Sequence, residues 1–359
     1  MILDRSDQNP GARVLFILAC LVVVVYGLRF AAPILLPSAL ALFLAVLSLP
    51  VMLFLRHRGA PSWLAIGITV AVNLSLFGLV LLLASGSLSE LQVRLPVYAA
   101  RLSYLQESWM RGLEARLDIP LGDYVATDLV NPAAIVDMAG TAVGRIAQFV
   151  STTFLVFLIS IFMLGEAVAF PDKVRYLFGE GVGQEDRLAK VVGEIQTYLG
   201  IKTVISLATG LILGVWCYVL ELDFPVLLGM MAFVLNYVPT VGSIIAAVPA
   251  VLLSLVLHGS LPHALMVMGG YAVVNILFGN ILEPNLMGRR LGLSTLVVIL
   301  SLLFWGWTWG PLGALLSVPL TVIVKIWLEN TQDLKWIAVL LDKSAPKAPP
   351  AEDDPSQGV

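Results

Sequence analysis

Glu283 is the only carboxylate in the stretch that joins two interrupted apolar segments, and Asn275 and Asn280 precede it on the same apolar run. On a helix, spacings of five and three place the three side chains on one face. Polar groups in lipid are costly, so such a face marks a pathway: an acid can carry a proton or a cation, and amides can hold a polar solute. The other reading of Glu283 is a helix-end carboxylate paired with Arg289 or Arg290. Two further polar groups sit where the apolar segments break. At the first break Asn236, Thr240 and Ser243 flank Pro239 and Gly242; at the second, Thr308 precedes Gly310, Pro311 and Gly313. Asn236 can donate and accept, and Ser243 can cap the helix that follows, whose N-terminus favours a hydroxyl-rich or anionic solute. The prolines and glycines shape the turns and offer only backbone to a ligand. Helix capping and interhelical packing account for the same polar residues without a ligand.

Other chemistries leave no mark. There is no Gly-rich phosphate loop ending in Gly-Lys-Ser or Gly-Lys-Thr, which argues against ATP-driven transport by this chain. His57, His258 and His263 stand at scattered loop positions, and no Ser-His-Asp set is legible. Cys20 and Cys217 lie inside apolar runs and read as small hydrophobes, not a metal site or disulfide. The expectation is no enzyme, no cofactor and no metal.

The elements that must position these residues are membrane helices. Hydrophobic residues make up 59% of the 359 and charged ones 13%, and the mean hydropathy is +0.93. A soluble chain carries about twice that share of charge. The net charge of −3 offers no basic face for nucleic acid. Apolar runs at residues 13–28, 34–55, 63–84, 146–169, 199–220 and 264–282 are each long enough to cross a hydrocarbon core of about 30 Å. The first is read as an uncleaved span, because its apolar run continues past Cys20. The predicted fold class is therefore all-α, a polytopic membrane protein of six spans and two oppositely oriented helical hairpins, eight membrane elements in all. Its regions are a three-span unit (1–84), an extracytoplasmic amphipathic helical segment (85–145), a second membrane region with both hairpins (146–342) and a disordered tail (343–359). A second amphipathic stripe, Leu188, Val191, Val192, Ile195 and Leu199, precedes the fifth span. Lys/Arg-bearing loops at 56–58, 173–175, 187–190 and 289–290, with the tail lysines, are expected to face the cytoplasm, which sets both termini on that side of an inner membrane. Lys202, Glu166 and Lys325 are expected to snorkel from span ends.

The hairpins are read from a weak internal repeat. Gly242-Ser243-Ile244-Ile245-Ala246-Ala247-Val248-Pro249 matches Gly313-Ala314-Leu315-Leu316-Ser317-Val318-Pro319 with a one-residue gap, and each copy follows a break. By the alternation of spans the two segments enter from opposite faces. An inverted repeat of that kind is where transporters place a solute, at broken helices with unpaired backbone groups. Tight turns between full spans, with Trp305, Trp307 and Trp309 at the interface, fit the same breaks.

The residues Asn236-Tyr237-Val238-Pro239-Thr240-Val241-Gly242, then Glu283-Pro284-Asn285-Leu286-Met287-Gly288 and Gly313 through Pro319, in this order, resemble the autoinducer-2 exporter (AI-2E) family of bacterial membrane proteins. The resemblance covers nearly the whole chain. It implies export of the furanone signal autoinducer-2, as in some members, or exchange of sodium or lithium for protons, as in others. It also implies a homo-oligomer, a pentamer, in the lipid bilayer. Many members read Leu-His-Pro where this chain reads Leu293-Ser294-Thr295, so no role of that histidine carries over. Leu302-Leu303-Phe304-Trp305 resembles the quorum-signal exporter subgroup. The reading is a secondary transporter exporting a small polar solute such as autoinducer-2. A Na+/Li+/proton antiporter and a non-transporting oligomeric scaffold are the alternatives; a single acid between the hairpins suits the exporter better.

Overall fold

The computed structural model describes residues 10–117, 152–169, 173, 176, 184–239, 241–287, 293–329, 331 and 335–342. Within these it is helical apart from the short turns between helices and one isolated bridge between Leu293 and Asp342. The helices are α1 (Pro10–Phe30), α2 (Ala32–His57), α3 (Ser62–Leu117), α4 (Thr152–Ala169), α5 (Gln184–Val219), α6 (Pro225–Leu235), α7 (Val241–His258), α8 (Leu261–Val274), α9 (Glu283–Met287), α10 (Thr295–Glu329) and α11 (Lys335–Leu341). Seven helical stretches of the described residues are long and apolar enough to cross a membrane: α2, α3, α4, α5, α7, the run Leu261–Leu286 and α10. The chain is a multi-pass, all-α membrane protein. Thr240, Arg289, Arg290, the tail from 343 and the segment 118–151 lie outside the described residues, and with them the expectations placed there.

Two amphipathic segments read as separate from their neighbouring spans are continuous with them. α3 is 56 residues long, about 84 Å at 1.5 Å per residue, so it crosses the hydrocarbon and projects far beyond it. The stripe before the fifth span likewise runs straight into α5. Nothing in either sequence breaks the helix: Pro96 is the only proline inside α3, and one proline bends a helix without ending it when neighbours hold it.

Three apolar clusters knit the helices. Ala45 and Met52 of α2, Ala65 of α3 and Leu164 of α4 form one. Phe43 and Val46 of α2, Ile195, Tyr198 and Leu199 of α5, and Leu316, Val318 and Val322 of α10 form the second. The third joins Leu213 and Cys217 of α5 to Leu228 and Ala232 of α6, Ala246 and Ala250 of α7, and Val267, Tyr271 and Val274 of α8. Thus α5 is shared: its first half packs with α2 and α10, its second half with α6, α7 and α8.

The orientation of the two hairpins follows from contacts. α2 and α3 are antiparallel, joined by a short turn and by Asn73 Nδ2 donating to Ser48 Oγ at 2.7 Å. The far part of α3 meets the α5–α6 turn, where Arg94 binds Asp223. The base of the first hairpin, α6–α7, therefore lies at the end where α2 begins. At that same end Trp309, at the tip of the second hairpin, donates to the carbonyl of Leu28. One hairpin has its base and the other its tip at one side, so they point in opposite directions. The second reaches the level of the α1–α2 turn. α6, at 11 residues, is only about 16 Å long and stops short.

Candidate translocation site

α5 and α6 run antiparallel in close backbone contact. A Cβ on Gly210 would lie 2.7 Å from the Gly229 carbonyl oxygen, and one on Gly229 would lie 2.7 Å from that of Gly210. Glycines on both helices let the backbones touch, as small residues do in membranes. That packing carries the first hairpin tip onto α5. Asn236 Nδ2 donates to Ser206 Oγ at 3.0 Å, and the Tyr237 hydroxyl donates to Thr203 Oγ1 at 2.8 Å. Asn236 and Ser206 are buried.

Immediately before Thr203 on α5 stands Lys202. The expected snorkelling does not occur: Lys202 is 3% exposed and its Nζ lies 2.6 and 2.8 Å from the two oxygens of Glu283. The reason is rotational. Lys202 faces the same way as Ser206 and Thr209, toward α6 and the end of the α8 run, so its ammonium meets a carboxylate before it could reach water. Glu283 pairs with this lysine, which lies 81 residues before it in sequence; Arg289 and Arg290 lie outside the described residues. Lys325 is corrected in the same way: it is buried and bound to Asp342 at 3.1 Å. Glu166 is exposed and bonded to Lys173.

Geometry also separates residues that spacing grouped. Residues Asn275–Leu282 form a π-helix, and the three polar residues stand in different surroundings. Asn280 is exposed. Asn275 instead lines, with Ser243, Tyr271 and apolar side chains including Ile244, Val248 and Met268, a groove of about 420 Å³ between α7 and α8. Glu283 lies beyond the π-segment, against α5. Gly242 has no left-handed φ; what requires glycine there is contact, since a Cβ would lie 1.8 Å from the Leu235 carbonyl oxygen. Pro239 sits in the turn, where Val241 N–H reaches its carbonyl.

The second tip has a different environment. Gly310 takes φ 70° and ψ −155°, a conformation that breaks α10 in two and is reserved for glycine; Pro311 opens the second arm. A Cβ on Gly313 would lie 2.2 Å from the Trp305 carbonyl oxygen. Thr308 is buried and spends its hydroxyl on the Phe304 carbonyl. The three tryptophans do not form a belt: Trp305 is buried, Trp309 binds Leu28, and exposed Trp307 lies under the Arg29 guanidinium at 4.9 Å. The histidines are not all scattered either, because His258 and His263 stack at 3.8 Å across the α7–α8 turn.

The arrangement holds, in an apolar surround, one ion pair and a line of amides and hydroxyls. Along that line Thr209 Oγ1 is buried with no hydrogen-bond partner among the described residues. Those residues hold no cluster of three or more His, Cys, Asp or Glu that could bind a metal ion. Such a site can bind and pass a polar solute but offers no nucleophile with a base. Residues 18–333 match the family described as AI-2E family transporter. The chain belongs to that family. It is 38% identical over 331 residues to the AI-2 transport protein TqsA of Escherichia coli strain K12, covering 92% of this chain and 96% of that one. A candidate transport protein of Haemophilus influenzae is 36% identical over 336 residues, covering 92% and 96%. Another, YhhT of Escherichia coli strain K12, is 34% identical over 348 residues, covering 96% and 98%. As an AI-2E family member the chain is a membrane transport protein and not an enzyme, and these relatives lend nothing to the antiporter or scaffold readings.

Lys202, Thr203, Ser206 and Tyr237 were not singled out as site residues from the sequence. A signal was present: Lys202, Ser206 and Thr209 recur at spacings of four and three inside an apolar run, a polar stripe on one helix face.

Proposed function

We propose that this protein exports a small polar solute of the autoinducer-2 type, and that the solute passes between the first hairpin tip and α5. The observation that carries the reading is the buried Lys202–Glu283 pair beside Asn236, Ser206 and Tyr237. A charge in the membrane interior costs about 3 kcal/mol on insertion scales, and an ion pair there is a poor source of stability. Its presence is better explained by use. In this reading Glu283 is the coupling group: when it takes a proton the lysine is released, and the hairpin tip can part from α5 to admit the solute. Asn236, Ser243 and the orphan hydroxyl of Thr209 would bind it. Asn275, Pro239 and Gly242 complete the first tip and its neighbouring groove; Thr240 lies outside the described residues, and Asn280, Thr308, Gly310, Pro311 and Gly313 are assigned no contact with the solute. The similarity to TqsA supports autoinducer-2 as the first solute to test, hence a part in quorum sensing. We place the protein in the bacterial inner membrane as a homo-oligomer, with both termini cytoplasmic.

The test is efflux of autoinducer-2 from proteoliposomes as a function of pH. Wild type should move it with a marked pH dependence. Glu283→Gln should flatten that dependence while leaving the assembled protein intact; an unchanged profile would return Glu283 to a structural ion pair.

A further inference from the structure

The projecting part of α3 has no place in the site described above, yet it is fastened to the turns at the base of the first hairpin. Arg94 binds Asp223 at 2.9 Å and Glu90 at 2.7 Å. The Tyr98 hydroxyl also donates to Asp223, and its ring meets the edge of Phe224 at 6.2 Å, with the Arg94 guanidinium 6.0 Å from the same ring. Further along, Leu105 reaches within 3.9 Å of where a Cβ on Gly259 would stand, at the α7–α8 turn. One helix therefore touches both turns at the base of the first hairpin.

The turn it grips is unusual. Glu221 and Phe224 are the only non-glycine residues with positive φ among those described, at 53° and 59°. Left-handed backbone costs such residues free energy and persists only where surroundings impose it. Here the two strained residues bracket Leu222 and Asp223; Leu222 and Phe224 are buried, and Asp223 is turned toward α3. The grip itself is of a releasable kind. Arg94 and Asp223 are both partly exposed, and exposed ion pairs are weak. By contrast, α5 and α6 touch glycine to glycine and the third apolar cluster joins only α5 to α8. The α5–α8 unit is thus tightly packed within itself, and its polar tie to α3 is the partly exposed pair, flanked on α3 by buried Leu95 and Ala99.

We infer that the projecting part of α3 is a releasable clamp that positions the first hairpin through Arg94 and Tyr98 on Asp223 and Phe224, and that it must let go during each transport cycle. This rests on the proposed function for the cycle but not for the clamp. Arg94 and Tyr98 are positioning residues, and two measurements separate the claims. Amide hydrogen exchange of the full-length protein in lipid nanodiscs needs no solute: in Arg94→Ala and in Tyr98→Phe the amides of 221–224 should exchange at least tenfold faster, with 226–235 unchanged and Arg94→Lys close to wild type. Unchanged exchange at 221–224 in both variants overturns the clamp. For release, cysteines at 94 and 223 in a Cys20→Ser background are bridged by a short, reducible bifunctional thiol reagent. Bridging should cut autoinducer-2 efflux at least tenfold, and reduction should restore it; a bridged protein that transports at the unbridged rate overturns release. Failure of the wild type to move autoinducer-2 would sink the proposed solute, while the exchange measurement still decides the clamp.

Discussion

The two hairpins carry the same sequence signature and spend their polar groups differently. In the first, Asn236 and Tyr237 bind across to Ser206 and Thr203 of α5, beside a buried ion pair. In the second, Ser301 bonds to the Ser317 carbonyl and to Thr321, which also accepts from the Trp305 indole, so the bonds run between the hairpin's own arms. Those bonds are internal, although Ser317 Oγ has no partner among the described residues and the Trp309 indole at the tip reaches α1. The first tip is bonded beside an ion pair, so its bonding changes with the state of that pair, and we take it as the working element. What they share is the glycine opening the second arm, which seats that arm against a carbonyl of the first: Gly242 on Leu235, Gly313 on Trp305.

The comparison breaks first at the lysines. Lys202→Met leaves the Glu283 carboxylate without this partner; removing one member of a fully buried pair costs about 3–5 kcal/mol, an upper bound here because Glu283 is 19% exposed. Thermal unfolding should show that loss, and Lys202→Met with Glu283→Gln should recover most of the stability but none of the transport. Lys325→Met should cost less, since Asp342 is more exposed than Glu283 and water can receive it. Equal losses at both sites would remove the distinction. At the shared glycines the hairpins should behave alike: Gly242→Ala and Gly313→Ala each force backbone apart and should cost about 1–3 kcal/mol. Efflux at equal amounts of folded protein sharpens the contrast, with Gly242→Ala inactive and Gly313→Ala active. Smaller again, Asn236→Ala and Thr321→Val should each lose about 1 kcal/mol of stability, yet only Asn236→Ala should depress efflux.

Much of this was legible in the sequence because lipid imposes a simple code. Apolar runs of spanning length, the two breaks and the repeat gave the helices, both hairpins and their opposed directions. The glycines at 242 and 313 were found by their alignment, although the reason for Gly242 is contact and not backbone angle. The partner of Glu283 was not legible: Arg289 and Arg290 are near in sequence, and only the tight glycine packing of α5 on α6 and the π-helical turn at Asn275–Leu282 bring Lys202 to it. The grouping of Asn275, Asn280 and Glu283 rested on spacing alone, and at 3.6 residues per turn a spacing of five already sets two side chains about 140° apart; Asn280 is exposed while Asn275 lines the α7–α8 groove. The clamp on Asp223 was hidden for a plainer reason: residues 94 and 223 are joined by no local pattern.

The smallest expected effect lies at the second tip and asks what the second hairpin is for. α1 is exposed along nearly its whole length and is apolar on every side, so in lipid it has little reason to prefer one neighbour. Its C-terminal end is nevertheless held, by the Trp309 indole on the Leu28 carbonyl at 3.0 Å and by Arg29 over the Trp307 ring. If the second hairpin is a fixed structural unit, these contacts tether α1 and do nothing in transport. Trp309→Phe keeps the ring and removes the donor, so it should cost only about 0.5–1.5 kcal/mol, and adding Arg29→Ala removes the cation–π contact, worth about 0.5–1 kcal/mol more. Spin labels at residues 18 and 304 should then show a broadened distance distribution, while autoinducer-2 efflux stays within twofold of wild type. A large loss of efflux from these two changes, with the fold intact, would mean that the second tip takes part in transport as fully as the first, and the division of labour between the hairpins would have to be abandoned.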